Sequence, residues 1–359
     1  VGARTPADCA QAALVGMTEQ TRVAQLFLVG VPASGPGPAE SAVLGRYGPG
    51  GVFLVGRARG GAARFARIAD GVQRAGTPAA HGVGLFVAAD QEGGEVQVLS
   101  GPGFSDMPSA TVQGRWSTDR LRATAKEWGG ELRAAGVNLN LAPVGDVLSA
   151  RLGAANAPIG RFDRAFGTDP GTVASHVTAF VQGMQDAGVA ATVKHFPGLG
   201  RVTRNTDFSA GVVDQETTPN DPDLAPFGAG VRAGATFVMI SSATYARVDP
   251  ARRAVFSPVA LRGLARGTLG FSGLIVSDDL GRAQEVAAVP VGERAADFLA
   301  AGGDVVLTAD PQTVAPMVDA VVVRSHRDPG FAEQVAASEQ RVLVTKAARG
   351  LLPCAASPH

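Results

Sequence analysis

Eight short apolar runs, rich in Val, Ile, Leu and Phe, recur along the chain with helical patterns between them: residues 26–31, 51–55, 84–89, 137–142, 189–194, 237–241, 273–277 and 304–308. Runs that are apolar at successive positions fit strands covered on both faces, as in a parallel sheet flanked by helices. Between the third and fourth runs Leu121, Ala125, Trp128 and Leu132 fall at helical spacing, and after the fourth so do Val173, Val177, Phe180, Val181 and Met184. Both stretches read as crossover helices, and Thr18 reads as the N-cap of a helix leading into the first strand. Eight strands alternating with helices predict an α/β fold of the closed (β/α)8 TIM type rather than an open doubly wound sheet. No Gly-x-Gly-x-x-Gly follows the first run, which argues against a dinucleotide site. A length of 359 residues fits one large barrel or two ordinary domains. Because the Gly- and Pro-rich pieces 31–38 and 101–108 follow strands like loops, we expect one domain over 1–359, with a lead-in at 1–20 and C-terminal helices at 311–359 packing on the barrel.

Composition narrows the function. Lys plus Arg and Asp plus Glu each number 32, so there is no global field to recruit nucleic acid or an anionic membrane surface. No apolar stretch approaches the roughly 20 residues that span a bilayer. The first residues carry neither a leader pattern nor a starting Met, as expected of a trimmed chain. The two cysteines, Cys9 and Cys354, stand near opposite ends. In an exported protein such a pair would fasten the termini, whereas in a reducing cytosol they would be two unrelated small hydrophobes. Zinc-type Cys spacing is absent and the five histidines are dispersed, so neither metal nor cofactor is expected.

In a barrel the reactive groups project from the C-terminal ends of the strands. Four such ends are polar here: Asp90-Gln91-Glu92-Gly93-Gly94 after the third run, Lys194-His195 after the fifth, Ser277-Asp278-Asp279 after the seventh, and a loop holding Arg161, Asp163 and Arg164 after the fourth. All four should meet in one pocket. Asp278 is costly to bury as an anion, and Lys194 with His195 is the candidate source of compensation. Asp279 is expected to turn toward the following loop and helix. Asp90 reads either as a turn-forming residue or as an acceptor for ligand hydroxyls, and Glu92 as a supporting residue behind it. A metal-free, neutral barrel with paired carboxylates and a Lys-His-Arg cluster suits glycoside cleavage: one carboxylate attacks the anomeric carbon, and in retaining enzymes a second group sits only about 5–5.5 Å away.

The residues at these ends resemble glycoside hydrolase family 3, in particular its single-barrel β-N-acetylglucosaminidases acting on peptidoglycan fragments. The resemblance runs nearly end to end: Asp90 to Gly94, Asn140-Leu141-Ala142-Pro143-Val144, Ile159-Gly160 with Arg164-Ala165-Phe166-Gly167, Lys194 to Gly200, and Leu269-Gly270-Phe271 through Ser277-Asp278-Asp279-Leu280 occur in the family's order. It implies that Asp278 is the nucleophile and that Asp90, Arg164, Lys194 and His195 bind the terminal N-acetylglucosamine. The family's acid/base is a histidine in the loop after Lys-His, but residues 200–209 contain none. An ungapped register puts Asp207 at that position, and we expect Asp207 to supply the proton. A shifted register puts Ser209 there, and a serine hydroxyl is far too weak an acid. Val98 stands where the family commonly has a sugar-contacting Arg.

The resulting expectation is a retaining exo-β-N-acetylglucosaminidase, without cofactor, that works as a monomer on an N-acetylglucosamine-containing glycan or muropeptide from cell wall or chitin. Its expected location is outside the cell or in the envelope, where a lipoprotein anchor before trimming is compatible with the sequence. The competing readings are a non-catalytic sugar-binding envelope protein that has lost its acid, and a glycosidase or phosphorylase of another sugar specificity.

Overall fold

Every apolar run holds a strand in the computed structural model, which describes residues 4–352 and 354. The strands are β1 Phe27–Pro32, β2 Gly51–Val55, β3 Phe86–Ala89, β4 Leu139–Asn140, β5 Ala190–Phe196, β6 Phe237–Ile240, β7 Leu274–Ser277 and β8 Val306–Thr308. They form a parallel sheet in the order β7-β6-β5-β4-β3-β2-β1-β8. Ser277 N donates to Val305 O at 2.9 Å and Leu280 N to Leu307 O at 2.9 Å, which joins β7 to β8 and makes the ring a barrel. The expected (β/α)8 architecture is thus observed.

Five strands are shorter than their apolar runs, and at two of these side chains take up the backbone groups. At the third, Leu85 N and O are both held at 2.9 Å by the Gln73 amide, and Gly84 N goes to Leu351 O. At the fourth, Asn138 Oδ1 accepts from Val87 N at 2.9 Å, and β4 begins at Leu139, two residues into the run. The fifth is longer than its run and carries Lys194, His195 and Phe196 inside the strand.

The crossover helices Thr118–Ala134 and Pro170–Asp186 bury the residues whose spacing announced them. Gly183 lets the two cross closely, since a Cβ there would lie 2.5 Å from Arg122 O. Thr18 caps its helix as expected, its hydroxyl accepting from Thr21 N at 3.2 Å.

At the N-terminal end of the barrel the helix Pro329–Ala348 brings Lys346 against Gln25, with Nζ 2.7 Å from Oε1 and 5.7 Å from the Phe86 ring. A small second core of Cys9, Ala10, Met17, Ala80, Val83, Leu343 and Leu352 ties the helix Pro6–Gly16 to this C-terminal segment. Cys9 and Cys354, 345 residues apart in sequence, are joined as a disulfide with Cα atoms 5.4 Å apart. Positions 1–3, 353 and 355–359 of the expected lead-in and C-terminal segments lie outside the described residues. No helix among the described residues is long and apolar enough to cross a membrane.

Candidate active site

Parallel strands place all their C-terminal ends on one face, and there Asp90, Arg164, Lys194, His195, Asp207 and Asp278 line one cavity of about 420 Å³. The predicted convergence is therefore found. Of the three polar residues in the loop after β4 only Arg164 reaches the cavity. Asp163 instead has left-handed backbone (φ 53°), and its carbonyl accepts from Thr111 N at 3.1 Å.

The cavity wall is organised around a buried anion that the sequence reading left in a supporting role. Glu92 receives a two-pronged bond from Arg164, Nε to Oε2 at 2.8 Å and Nη2 to Oε1 at 2.7 Å, and an ion pair from Lys194 at 2.6 Å. Burial by itself pushes the Glu92 carboxyl up, but the two cations more than reverse this and hold its pKa at about 2. Lys194 also bonds to Asp90, and although burial opposes its charge, Asp90 and Glu92 keep its ammonium above the ordinary lysine range. The ammonium contacts these two carboxylates directly, because Asp90 and Glu92 lie closer to it than Asp278 does. Lys194 and His195 still lower the Asp278 pKa somewhat through space.

His195, joined to Lys194 by a cis peptide, is held from behind by Asp146. Asp146 Oδ2 lies 2.8 Å from Nδ1, while its Oδ1 accepts from His195 N at 3.2 Å and Leu199 N at 2.8 Å. With Nδ1–H donating to this fully buried carboxylate, Nε2 is left facing Arg164 Nη2 at 3.4 Å. Sequence reasoning missed Asp146; the signal was a charged residue closing the apolar stretch Leu141-Ala142-Pro143-Val144-Gly145. Two buried asparagines were missed in the same way. Asn140 exchanges hydrogen bonds of 3.1 Å with both backbone groups of Gln91 and so fixes the turn carrying Asp90 and Glu92. Asn156 donates to Leu199 O and Val202 O at 2.7 Å and accepts from Ile159 N and Gly160 N, which pins the Arg164 loop to the segment after β5.

Asp278 follows directly on β7, and Asp279 N donates to its Oδ1 at 2.9 Å. Asp279 also lines the cavity, while its carboxylate engages the following loop as expected, accepting from Gly281 N, Ala309 N and Arg282 N at 2.8 to 3.2 Å. Asp207 reaches the cavity on the loop after β5. That loop starts at Gly200, where a Cβ would fall 1.7 Å from Val147 O, so only glycine permits the approach. It is then pinned by Gln284 N to Asp207 O and Glu285 N to Thr206 O, both 3.1 Å. Asp207 is exposed as a residue, yet its carboxyl group stands over the cavity among protein atoms. Desolvation, followed by Asp279 and Asp90, pushes its pKa up against the pull of Arg164 and His195. Burial and then the negative charge of Asp207 likewise raise Asp278. Ser209 is not among the cavity-lining residues. Val98 does line the cavity, and the same wall carries Arg57, whose neighbour Ala58 donates its N–H to Val98 O at 3.0 Å.

A cavity with two charge-coupled carboxylates, a buried cation cluster and hydrogen-bonding groups at its rim is equipped to hold a polyhydroxylated ring and to perform acid–base and nucleophilic work on it. Known proteins agree. Residues 18–344 match the family described as the glycosyl hydrolase family 3 N-terminal domain. A β-hexosaminidase of Stenotrophomonas maltophilia (strain K279a) is 39% identical over 248 residues, 67% of this chain and 71% of that protein. The crystal structure of a β-N-acetylhexosaminidase from Beutenbergia cavernae superposes with a TM-score of 0.90 at 48% identity, covering 92% of this chain and 98% of that one. A family 3 β-N-acetylglucosaminidase from Paenibacillus superposes at 0.83 with 27% identity, covering 96% of this chain and 64% of that one. With its motifs in order on a closed barrel and the match extending over most of its length, this glycoside hydrolase belongs to glycosyl hydrolase family 3.

Proposed function

We propose that the protein is a retaining exo-β-N-acetylglucosaminidase acting on cell-wall or chitin-derived fragments. Its relatives of known name support the hexosaminidase activity. The observation that carries the mechanism is that Asp278 and Asp207 line one cavity, each raised by burial, with the charge of Asp207 also raising Asp278. Two such carboxyls titrate as a pair that readily holds one proton between them. A pair with one anion and one acid meets the two needs of the reaction.

In the first step an Asp278 oxygen bonds to the anomeric carbon while the bond from that carbon to the leaving oxygen breaks, and the proton on Asp207 moves to the leaving oxygen. In the second, Asp207 takes a proton from water as the water oxygen replaces Asp278 at the same carbon. Asp90, Arg164, Lys194 and His195 bind the terminal sugar, with Asp90 accepting from hydroxyls and Lys194 donating to them. Glu92 and Asp146 hold that set in place. The Cys9–Cys354 disulfide supports an exported or envelope location, since such bonds persist in oxidising compartments.

The test is turnover of a nitrophenyl N-acetyl-β-glucosaminide, with the anomer of the first-formed product read by NMR. Asp278→Asn should abolish turnover. Asp207→Ala should retain good leaving groups, lose poor ones, and regain rate with azide while forming the β-azide. An α-configured first product overturns the retaining mechanism. Equal losses on good and poor leaving groups overturn the acid role of Asp207.

A further inference from the structure

Beside the main cavity lies a second, more open recess lined by Asp207, Phe208, Asp279, Arg282, Ala283 and Gln284. Asp207, Phe208 and Asp279 line both hollows, so the two are continuous and Asp207 stands on the boundary. Phe208 is 79% exposed, and no other aromatic residue is among the exposed large hydrophobics of the described residues. A single exposed apolar side chain is ordinarily unremarked. This one sits on a segment whose backbone is fixed by Asn205 O to Phe208 N at 3.2 Å and by residues 284 and 285 on the far wall. Glu285 is itself held by Arg253 at 2.9 Å and accepts from Val212 N at 2.8 Å. The ring is therefore presented to solvent by a fixed support. On the same recess Arg282 is exposed, and its guanidinium makes no ion pair or hydrogen bond among the described residues.

An apolar face and an unengaged set of N–H donors, side by side, match a ligand that is apolar on one side and hydroxylated at its edge. A pyranose has both. We infer that Phe208 and Arg282 form the subsite for the leaving group, and that this leaving group is itself a pyranose, its C–H face on the Phe208 ring and its edge hydroxyls on Arg282. The inference rests on the hydrolase reading above and deepens it. The bond that breaks then lies at the boundary between the two hollows, where Asp207 can give its proton to the departing sugar oxygen.

The test compares kcat/KM for N-acetyl-β-glucosaminyl fluoride, whose leaving group is too small to reach the recess, with that for the β-1,4-linked disaccharide of N-acetylglucosamine. The disaccharide-to-fluoride ratio should fall at least tenfold in Phe208→Ala, be retained in Phe208→Trp, and fall three- to tenfold in Arg282→Ala. Ratios equal to wild type in both alanine variants overturn the subsite while leaving the hydrolase reading intact. A wild-type protein that turns over the fluoride but not the disaccharide overturns a pyranose leaving group. If wild type turns over neither, the hydrolase reading fails and this inference with it.

Discussion

Glu92 and Arg164, 72 residues apart in the chain, meet as a two-pronged ion pair of 2.7 and 2.8 Å whose side chains are 3% and 14% exposed. Removing one partner of such a pair leaves a buried, uncompensated charge, which typically costs about 3–5 kcal/mol. Glu92→Ala should lower stability by roughly that amount in urea titration and raise KM, because Arg164 and Lys194 lose the anion that fixes them. The same carboxyl links stability to acid. Its folded pKa of about 2 lies below the ordinary 4.5, so its contribution is complete above pH 4.5 and is lost as pH falls toward 2. Equilibrium unfolding in that window should lose on the order of 3 kcal/mol from this residue, a loss absent in Glu92→Gln.

The charge of Asp207 raises Asp278, so taking that charge away should reverse the shift. The acidic limb of kcat/KM against pH reports ionisation of the nucleophile. In Asp207→Asn, assayed with a nitrophenyl glycoside, this limb should move to lower pH, and the basic limb belonging to the acid should disappear. An acidic limb that stays in place would show that the two carboxyls do not sense each other.

Asp146 does not itself line the cavity, and it positions His195 through Nδ1. Asp146→Asn should leave the protein folded while weakening the hold on the imidazole, with KM rising about tenfold, the order expected for loss of a residue that orients a functional histidine. A purely structural role would change the melting temperature and leave the pH dependence of KM untouched, so that profile is the deciding measurement.

Lys346 is fully buried and burial depresses its pKa from 10.5 to about 7. Between those values the unfolded chain binds the proton more tightly, so stability should rise with pH from about 7 to about 10.5. Lys346→Met should flatten this rise, as measured by denaturant titration at several pH values.

The Cys9–Cys354 bond closes nearly the whole chain into a loop. Cys9→Ala should lower stability by about 2–4 kcal/mol. Dithiothreitol should have the same effect on the wild type and none on the variant.

The barrel was legible because strands covered on both faces need uninterrupted apolar runs, and such runs cannot be hidden by context. Strand ends were less legible: at Leu85 and Asn138 side chains compete for backbone groups, and that competition depends on which segment lies opposite. Asp90, Lys194, His195 and Asp278 could be picked out as polar residues terminating apolar runs. Local pattern gives each residue's position but not its partner, so Glu92 was undervalued, Asp146 was missed, and the direct pairing of Lys194 with Asp90 and Glu92 went unforeseen beside its pull through space on Asp278.

Periodicity and apolar run length, which act over a few residues, determined from sequence alone that the chain closes into an eight-stranded barrel and which residues stand at its mouth. Only the tertiary structure decided how those charges pair and that Asp207 and Phe208 stand over the cavity. Coulomb and hydrogen-bond energies depend on distances of a few ångströms between segments far apart in the chain, and these distances exist only once the barrel has closed.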